Sequence, residues 1–293
     1  MGVFGPYRMP LAEPVSDPED MRLLDVLPPE ARRTARAAGL EPLLVRLIRA
    51  HGARASGGPE SEPLLQQELT LRLLAFDSQV SALTFEIECT RRLVSELAAD
   101  LDSQESDRQF GLAASSLVIG AGTGVFAGAW TLAGESDELA NIVAIGGSIV
   151  TAALGTAVLI VPNRGVALEH RQNVLQPIQV GKDPDHLYPS FVFRMLTAVY
   201  ANDPHPPRDG LLQDFEHSLE AHVSEPQRPI ARRILFGVGG SYSRALLETR
   251  RELFQLLQSA VQGVARDLEL LNRFLVRLLA TPATDSPAID ARL

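Results

Sequence analysis

From residue 109 to residue 163 the chain carries no lysine or arginine. Residues 110–134 and 139–162 carry no charge of either sign, and Glu135-Ser136-Asp137-Glu138 lies between them. Each uncharged run, about 24 residues, is long enough as a helix to cross a ~30 Å hydrocarbon core. A short acidic connection between two such runs predicts an apolar helical hairpin. Arg108 precedes it, and Arg164 and Arg171 follow it. Because basic flanks stay on the cytoplasmic side, the pattern places both termini in the cytoplasm and the 135–138 turn outside. Trp130 falls near the outer end of the first run, at headgroup level.

The order of the small residues inside the runs carries information of its own. Ser116, Gly120, Gly124 and Gly128 recur every four residues, and Gly147, Thr151 and Gly155 do the same in the second run. In lipid, such stripes let helix backbones approach closely and pack by van der Waals contact. In water each glycine inside a helix costs roughly 1 kcal/mol relative to alanine. The stripes therefore read as helix-packing faces within a membrane.

Two heptad segments flank this region. Leu69, Leu73, Phe76, Val80, Leu83, Ile87, Thr90, Val94, Leu97 and Leu101 alternate spacings of four and three, with Thr90 the one residue that is not apolar. Leu247, Arg250, Phe254, Leu257, Val261, Val264, Leu268, Leu271, Leu275 and Leu278 do likewise, with Arg250 the exception. A 3.5-residue period puts each set on one seam of a helix that must bury against another helix. The seams are about equally long, roughly 48 Å at ~1.5 Å per residue. Glu86 and the other charged residues flanking the first seam read as a solvated face. Leucine and alanine carry the apolar content and aromatics make up 5% of the chain, a balance that favours helices over strands.

The expected fold is all-α: long heptad helices in a helical bundle or coiled coil, with a Gly-rich two-helix hairpin that spans a membrane. The expected divisions are a tail at 1–27, short helices and a linker at 28–62, a heptad helix at 63–109 and the hairpin at 110–162. A Pro-punctuated helical region at 163–240, a second heptad helix at 241–280 and a tail at 281–293 complete the chain.

Chemistry finds little support. The formal charge of −9 argues against a nucleic-acid partner. Cys89 is the only cysteine, so no intrachain disulfide can form. Residues 1–21 contain four prolines and lack the apolar run of a signal peptide. Gly120-Ala121-Gly122-Thr123-Gly124 resembles a dinucleotide turn, but the sixth position counted from Gly120 is Val125 and no acid follows the next apolar run. His217 and His222 are five apart, which points them about 140° apart on a helix, poor geometry for shared ligation. No catalytic, cofactor-binding or metal-binding residue is assigned, and no cofactor is expected.

The leading expectation is a non-enzymatic two-span protein of the cytoplasmic membrane. It would self-associate through the glycine stripes and coiled-coil seams as a scaffold or pore-like assembly, with the lipid bilayer and further copies as partners. The alternative is a soluble helical effector, cytoplasmic at first, that inserts the hairpin on a trigger. The order long helix, apolar hairpin, long helix is similar in organisation, though not in any diagnostic motif, to helical pore-forming toxins. A nucleotide-binding enzyme using residues 120–124 is the third reading.

Overall fold

The computed structural model describes residues 11–53, 62–107, 157–161, 165–199 and 205–280. These residues are mostly helical. The elements are α1 (Pro18–Leu23), α2 (Pro29–Ala37), α3 (Glu41–Gly52), α4 (Glu62–Asp107), β1 (Ala157–Val161) and β2 (Gly165–Glu169). They continue with α5 (Leu175–Val180), α6 (Ser190–Thr197), α7 (Pro207–His222), α8 (Arg228–Phe236), β3 (Gly239–Tyr242) and α9 (Arg244–Ala280). The chain divides into two compact units. One comprises Pro6–Ser81, Pro189–Pro207 and Ala260–Leu293; the other comprises Met1–Gly5, Ala82–Tyr188 and Arg208–Ser259.

The unit containing α1 to α3 is built from helices alone among its described residues. Asp17 caps α1 by accepting from the Glu19 backbone N–H at 2.9 Å, and Pro18 stands in the first turn, where a missing N–H costs nothing. Gly39, between α2 and α3, has φ +64°. A Cβ there would lie 2.8 Å from the backbone nitrogen of Ala12, so glycine meets both the left-handed backbone and the close approach of the N-terminal strand of chain. That stretch is also tied down by the buried Glu41 carboxylate, which accepts from the Val15 N–H at 3.1 Å. α3 buries Leu43, Leu44, Leu47 and Ile48, the i, i+1, i+4, i+5 pattern of an amphipathic helix. Phe76 of α4 and Phe191 of α6 pack with their rings tilted by 47° and the centroids 4.5 Å apart. His51 and Glu62, both buried, pair at 2.9 Å where α3 ends and α4 begins.

The second unit holds a three-stranded antiparallel sheet in the order β1-β2-β3. Ala157 pairs with Glu169 and Val161 with Gly165; Glu169 pairs in turn with Gly239, and Val166 with Tyr242. The chain passes from α8 into β3 through Gly237-Val238-Gly239-Gly240. Gly239 has φ +99°, and a Cβ on it would stand 2.0 Å from the Leu168 carbonyl oxygen. Only glycine lets β3 approach β2 at this corner.

Two expectations need correction. Among the described residues no helix is long and apolar enough to cross a membrane, which overturns the two-span membrane protein and its placement in the cytoplasmic membrane with both termini cytoplasmic. The last residues of the expected second span, Ala157-Val158-Leu159-Ile160-Val161, form strand β1 and not helix. The reason is local. A short apolar run rich in β-branched residues suits a strand as well as a buried helix, and periodicity alone does not separate the two. The fold is therefore mostly helical with a small sheet, and neither a coiled coil nor a membrane-spanning hairpin is shown. The stripe residues Ser116, Gly120, Gly124, Gly128, Gly147, Thr151 and Gly155 lie outside the described residues, as does the 120–124 glycine cluster.

Candidate functional site: a buried arginine cluster

The α4 seam reaches the core at Leu69, Phe76, Val80, Leu83, Ile87, Val94 and Leu97, while Leu73, Thr90 and Leu101 are half-buried. The α9 seam is buried from Leu247 to Leu275, with Leu278 half-buried. The two residues that interrupt the apolar pattern share a location. Thr90 and Arg250 line one cavity of about 20 Å³, together with Glu86, His170, Gln172 and Phe254.

Arg250 leaves only 2% of its surface exposed. A lone buried guanidinium is costly unless its charge is spread over partners. Here the carbonyls at the end of α8 and two aromatic rings supply them. Nη1 donates to the Leu235 carbonyl at 2.8 Å and to the Tyr242 hydroxyl at 3.3 Å. Nη2 lies 3.5 Å from both the Asn173 Oδ1 and the His170 Nδ1. The guanidinium carbon stands 4.8 Å from the Phe254 ring centroid and 5.9 Å from that of Tyr242. The C-terminal end of a helix carries partial negative charge, so the Leu235 carbonyl favours a cation. Asn173 reinforces the same helix end by donating to Leu235 at 2.8 Å and to Gly237 at 2.9 Å.

The donor inventory fixes the proton positions. Arginine only donates, so the His170 Nδ1 facing it must offer its lone pair. The imidazole proton is then on Nε2, which donates to the Tyr242 oxygen at 2.7 Å. The Tyr242 hydroxyl in turn donates to the Ile234 carbonyl at 3.1 Å. The chain runs one way, from arginine and histidine through tyrosine to the end of α8, and it requires a neutral His170. Burial, reinforced by the Arg250 charge, holds the His170 pKa down at about 3. Burial also pushes the Tyr242 hydroxyl up and lowers Arg250.

Across the cavity lies Glu86. Its side chain is 7% exposed, and among the described residues nothing donates a hydrogen bond to its carboxyl group. Burial raises its pKa to about 7. The Arg250 Nε likewise has no acceptor among the described residues. A space of this size admits a single water molecule. The cluster is a structural staple joining β2, β3, α8 and α9, with two titratable groups of opposite sign next to it.

Other candidate chemistry fails on geometry. Ser218, His222 and Glu252 lie close together, but Ser218 donates directly to Glu252 at 2.6 Å, and His222 Nδ1 lies 2.9 Å from the Ser218 carbonyl. A nucleophilic triad needs the imidazole between the hydroxyl and the carboxylate. His217, the other half of the weak histidine pair, does not join this group. Among the described residues no group of three His, Cys, Asp or Glu side chains could hold a metal ion.

No protein-family model, curated protein or solved structure is similar to this chain.

Sequence reasoning missed this cluster, although a signal for it was present. Thr90 and Arg250 were the only breaks in two otherwise apolar seams. Glu86, grouped with the solvated flank of α4, is buried one turn before Thr90.

Proposed function

We propose that this chain is a non-enzymatic helical effector that permeabilises membranes by inserting the two uncharged, glycine-rich runs of residues 110–134 and 139–156 on a trigger. One observation carries the reading. A long segment without lysine or arginine, made of two uncharged runs spaced for close helix packing, is tethered at both ends to a folded unit whose described helices include none long and apolar enough to cross a membrane. On the N-terminal side the tether is α4, and on the C-terminal side it is β1, which is hydrogen-bonded into the sheet. The uncharged runs then face lipid only after release, and the Ser116-to-Gly128 and Gly147-to-Gly155 stripes pack against one another or against those of other copies. Acid is a trigger consistent with the scaffold, because protonating His170 would place a second positive charge beside Arg250.

The test is dye release from anionic vesicles by the full chain, at neutral and at acid pH, beside a Gly120→Leu/Gly124→Leu variant. The expected result is little release at neutral pH, release at acid pH, and strong impairment in the variant. Release that the variant reproduces in full, or no release from vesicles under either condition, sinks the proposal.

A further inference from the structure

The corner between α8 and β3 exposes apolar and basic side chains together. Val238, at the tip of the Gly237–Gly240 turn, is 79% exposed, and Ile230 on α8 is 55% exposed. Both neighbouring basic residues are also exposed. The backbone of His170, which precedes Arg171, donates to the Val238 carbonyl at 2.8 Å, and the Gly237 N–H donates to the Arg233 carbonyl at 3.1 Å. Neither Arg171 nor Arg233 has a carboxylate partner among the described residues. Their neighbours Arg228 and Arg232, in contrast, pair with Glu220 and Glu216 of α7. From residue 226 to residue 247 the chain has four arginines and no acidic residue. Glu169 is the one carboxylate on the adjoining row of the sheet.

The register adds a second, independent observation. Ala157 pairs with Glu169, and Glu169 pairs with Gly239. The residue at which the second uncharged run enters β1 therefore lies in the same row of the sheet as the corner. A surface that held this corner would hold the end of the segment that must enter lipid.

We infer that Val238, Ile230, Arg171 and Arg233 form a docking patch for the headgroup layer of an anionic bilayer, placing the C-terminal root of the second uncharged run at the lipid surface. The inference rests on the insertion reading above and specifies its first step. Free arginines gain from the negative surface potential, while exposed apolar tips enter the headgroup region. The patch carries no built pocket, so it recognises charge and interface and not a particular lipid.

The experiment is co-sedimentation of the full chain with vesicles of pure phosphatidylcholine, or of phosphatidylcholine with phosphatidylserine as the minor component, with dye release read in parallel. Wild type should bind the phosphatidylserine vesicles in preference, and more weakly as salt rises. R171Q/R233Q should bind at least ~10-fold more weakly, since each basic residue near such a surface contributes separately, and V238S about threefold more weakly. R92Q/R273Q removes two ion-paired surface arginines elsewhere and should bind as wild type. An unchanged midpoint of thermal unfolding in R171Q/R233Q keeps the comparison one of binding, because neither side chain has a carboxylate partner to lose. Binding that ignores phosphatidylserine, or that R171Q/R233Q retains, overturns the patch. Dye release that persists undiminished in R171Q/R233Q leaves the insertion reading standing without it. Patch-dependent binding with no release at any pH leaves the patch standing and removes the insertion reading.

Discussion

The two long helices carry seams of the same spacing, yet differ in everything else. α9 has one long apolar stripe, buried from Leu247 to Leu275, and turns Arg251, Gln255, Gln262, Arg266 and Glu269 to solvent, its exposed Leu270 and Val276 standing apart from any second stripe. α4 is apolar on two sides. Opposite its buried seam, Leu64, Leu71 and Leu74 are exposed at 66%, 57% and 60%, with Gln67, Ser78 and Ser81 completing the same three-and-four spacing and no charge among them. A 3.5-residue period shows that a helix has a stripe to bury. It does not show that the helix has only one. The seams also break differently. α4 breaks at Thr90, which keeps its hydroxyl within its own helix by donating to the Glu86 carbonyl at 2.9 Å. α9 breaks at Arg250, which holds four elements together.

That contrast predicts unequal costs at the two breaks. Arg250→Ala opens a void and removes a donor from the end of α8, the Tyr242 hydroxyl and His170 at once. It should lower the unfolding free energy by about 4 kcal/mol. Thr90→Val, at the corresponding break in α4, should change it by less than ~1 kcal/mol. Urea titrations of the two variants measure the difference, and comparable losses would mean that the cluster is not what fixes this unit.

How legible was this arrangement in the sequence? The buried faces of the two long helices follow the 3.5-residue period for most of their length, though Leu73, Thr90, Leu101 and Leu278 are half-buried. The sheet was not legible. β1 has five residues within a much longer apolar run, β2 has a further five, and β3 is Gly239-Gly240-Ser241-Tyr242, which alternates nothing. What makes β3 a strand is the narrow gap beside Leu168 that only Gly239 fits, and that is a tertiary fact. The cluster was half legible. Arg250 stood out as a break in pattern, but Tyr242 reaches it from the preceding strand, and His170 and Asn173 lie 80 and 77 residues away in the chain, where no spacing connects them. The hairpin reading over-reached because length and lack of charge permit a membrane span without requiring one.

A second comparison concerns the seams themselves. Leu257→Ala in α9 and Leu83→Ala in α4 both truncate side chains with 0% exposure, and each should cost about 3 kcal/mol. Equal losses in chemical denaturation would mean that the two stripes serve the core alike. A much smaller loss at Leu83 would mean that α4 is the looser helix in its unit.

The two titratable groups by the cavity make the pH dependence of stability diagnostic. The folded pKa of His170, about 3 against an ordinary 6.5, means that stability is fully present above pH 6.5 and is lost as pH falls towards 3. Glu86 has the opposite sign. Its folded pKa is raised from 4.5 to about 7, so its burial costs nothing below pH 4.5 and progressively more up to about 7. Between 4.5 and 6.5 the two slopes oppose each other and stability should be nearly flat. Glu86→Gln removes one of them. The variant should be more stable than wild type by about 2 kcal/mol above the Glu86 pKa and should show stability rising with pH throughout the range from 3 to 6.5. Unfolding titrations at several pH values read both effects. A wild-type curve that climbs across that range would show Glu86 to be ionised and hydrated in the fold.

The smallest expected effect tests the second stripe of α4. Leu71→Ala and Leu74→Ala remove side chains that are mostly in water already, so each should change stability by less than ~0.5 kcal/mol, against the several-fold larger loss at Leu257. The comparison has content because the three leucines are the same size, lie on long helices and differ only in what covers them. If Leu71→Ala cost as much as Leu257→Ala, the stripe would be covered in solution. The cover would then be a part of this chain outside the described residues or another molecule. An unfolding midpoint that rose with protein concentration in wild type, and lost that dependence in Leu71→Ala, would identify that molecule as a second copy. A midpoint independent of concentration, with the small loss expected, leaves α4 as a helix with one stripe in the core and a second one facing water.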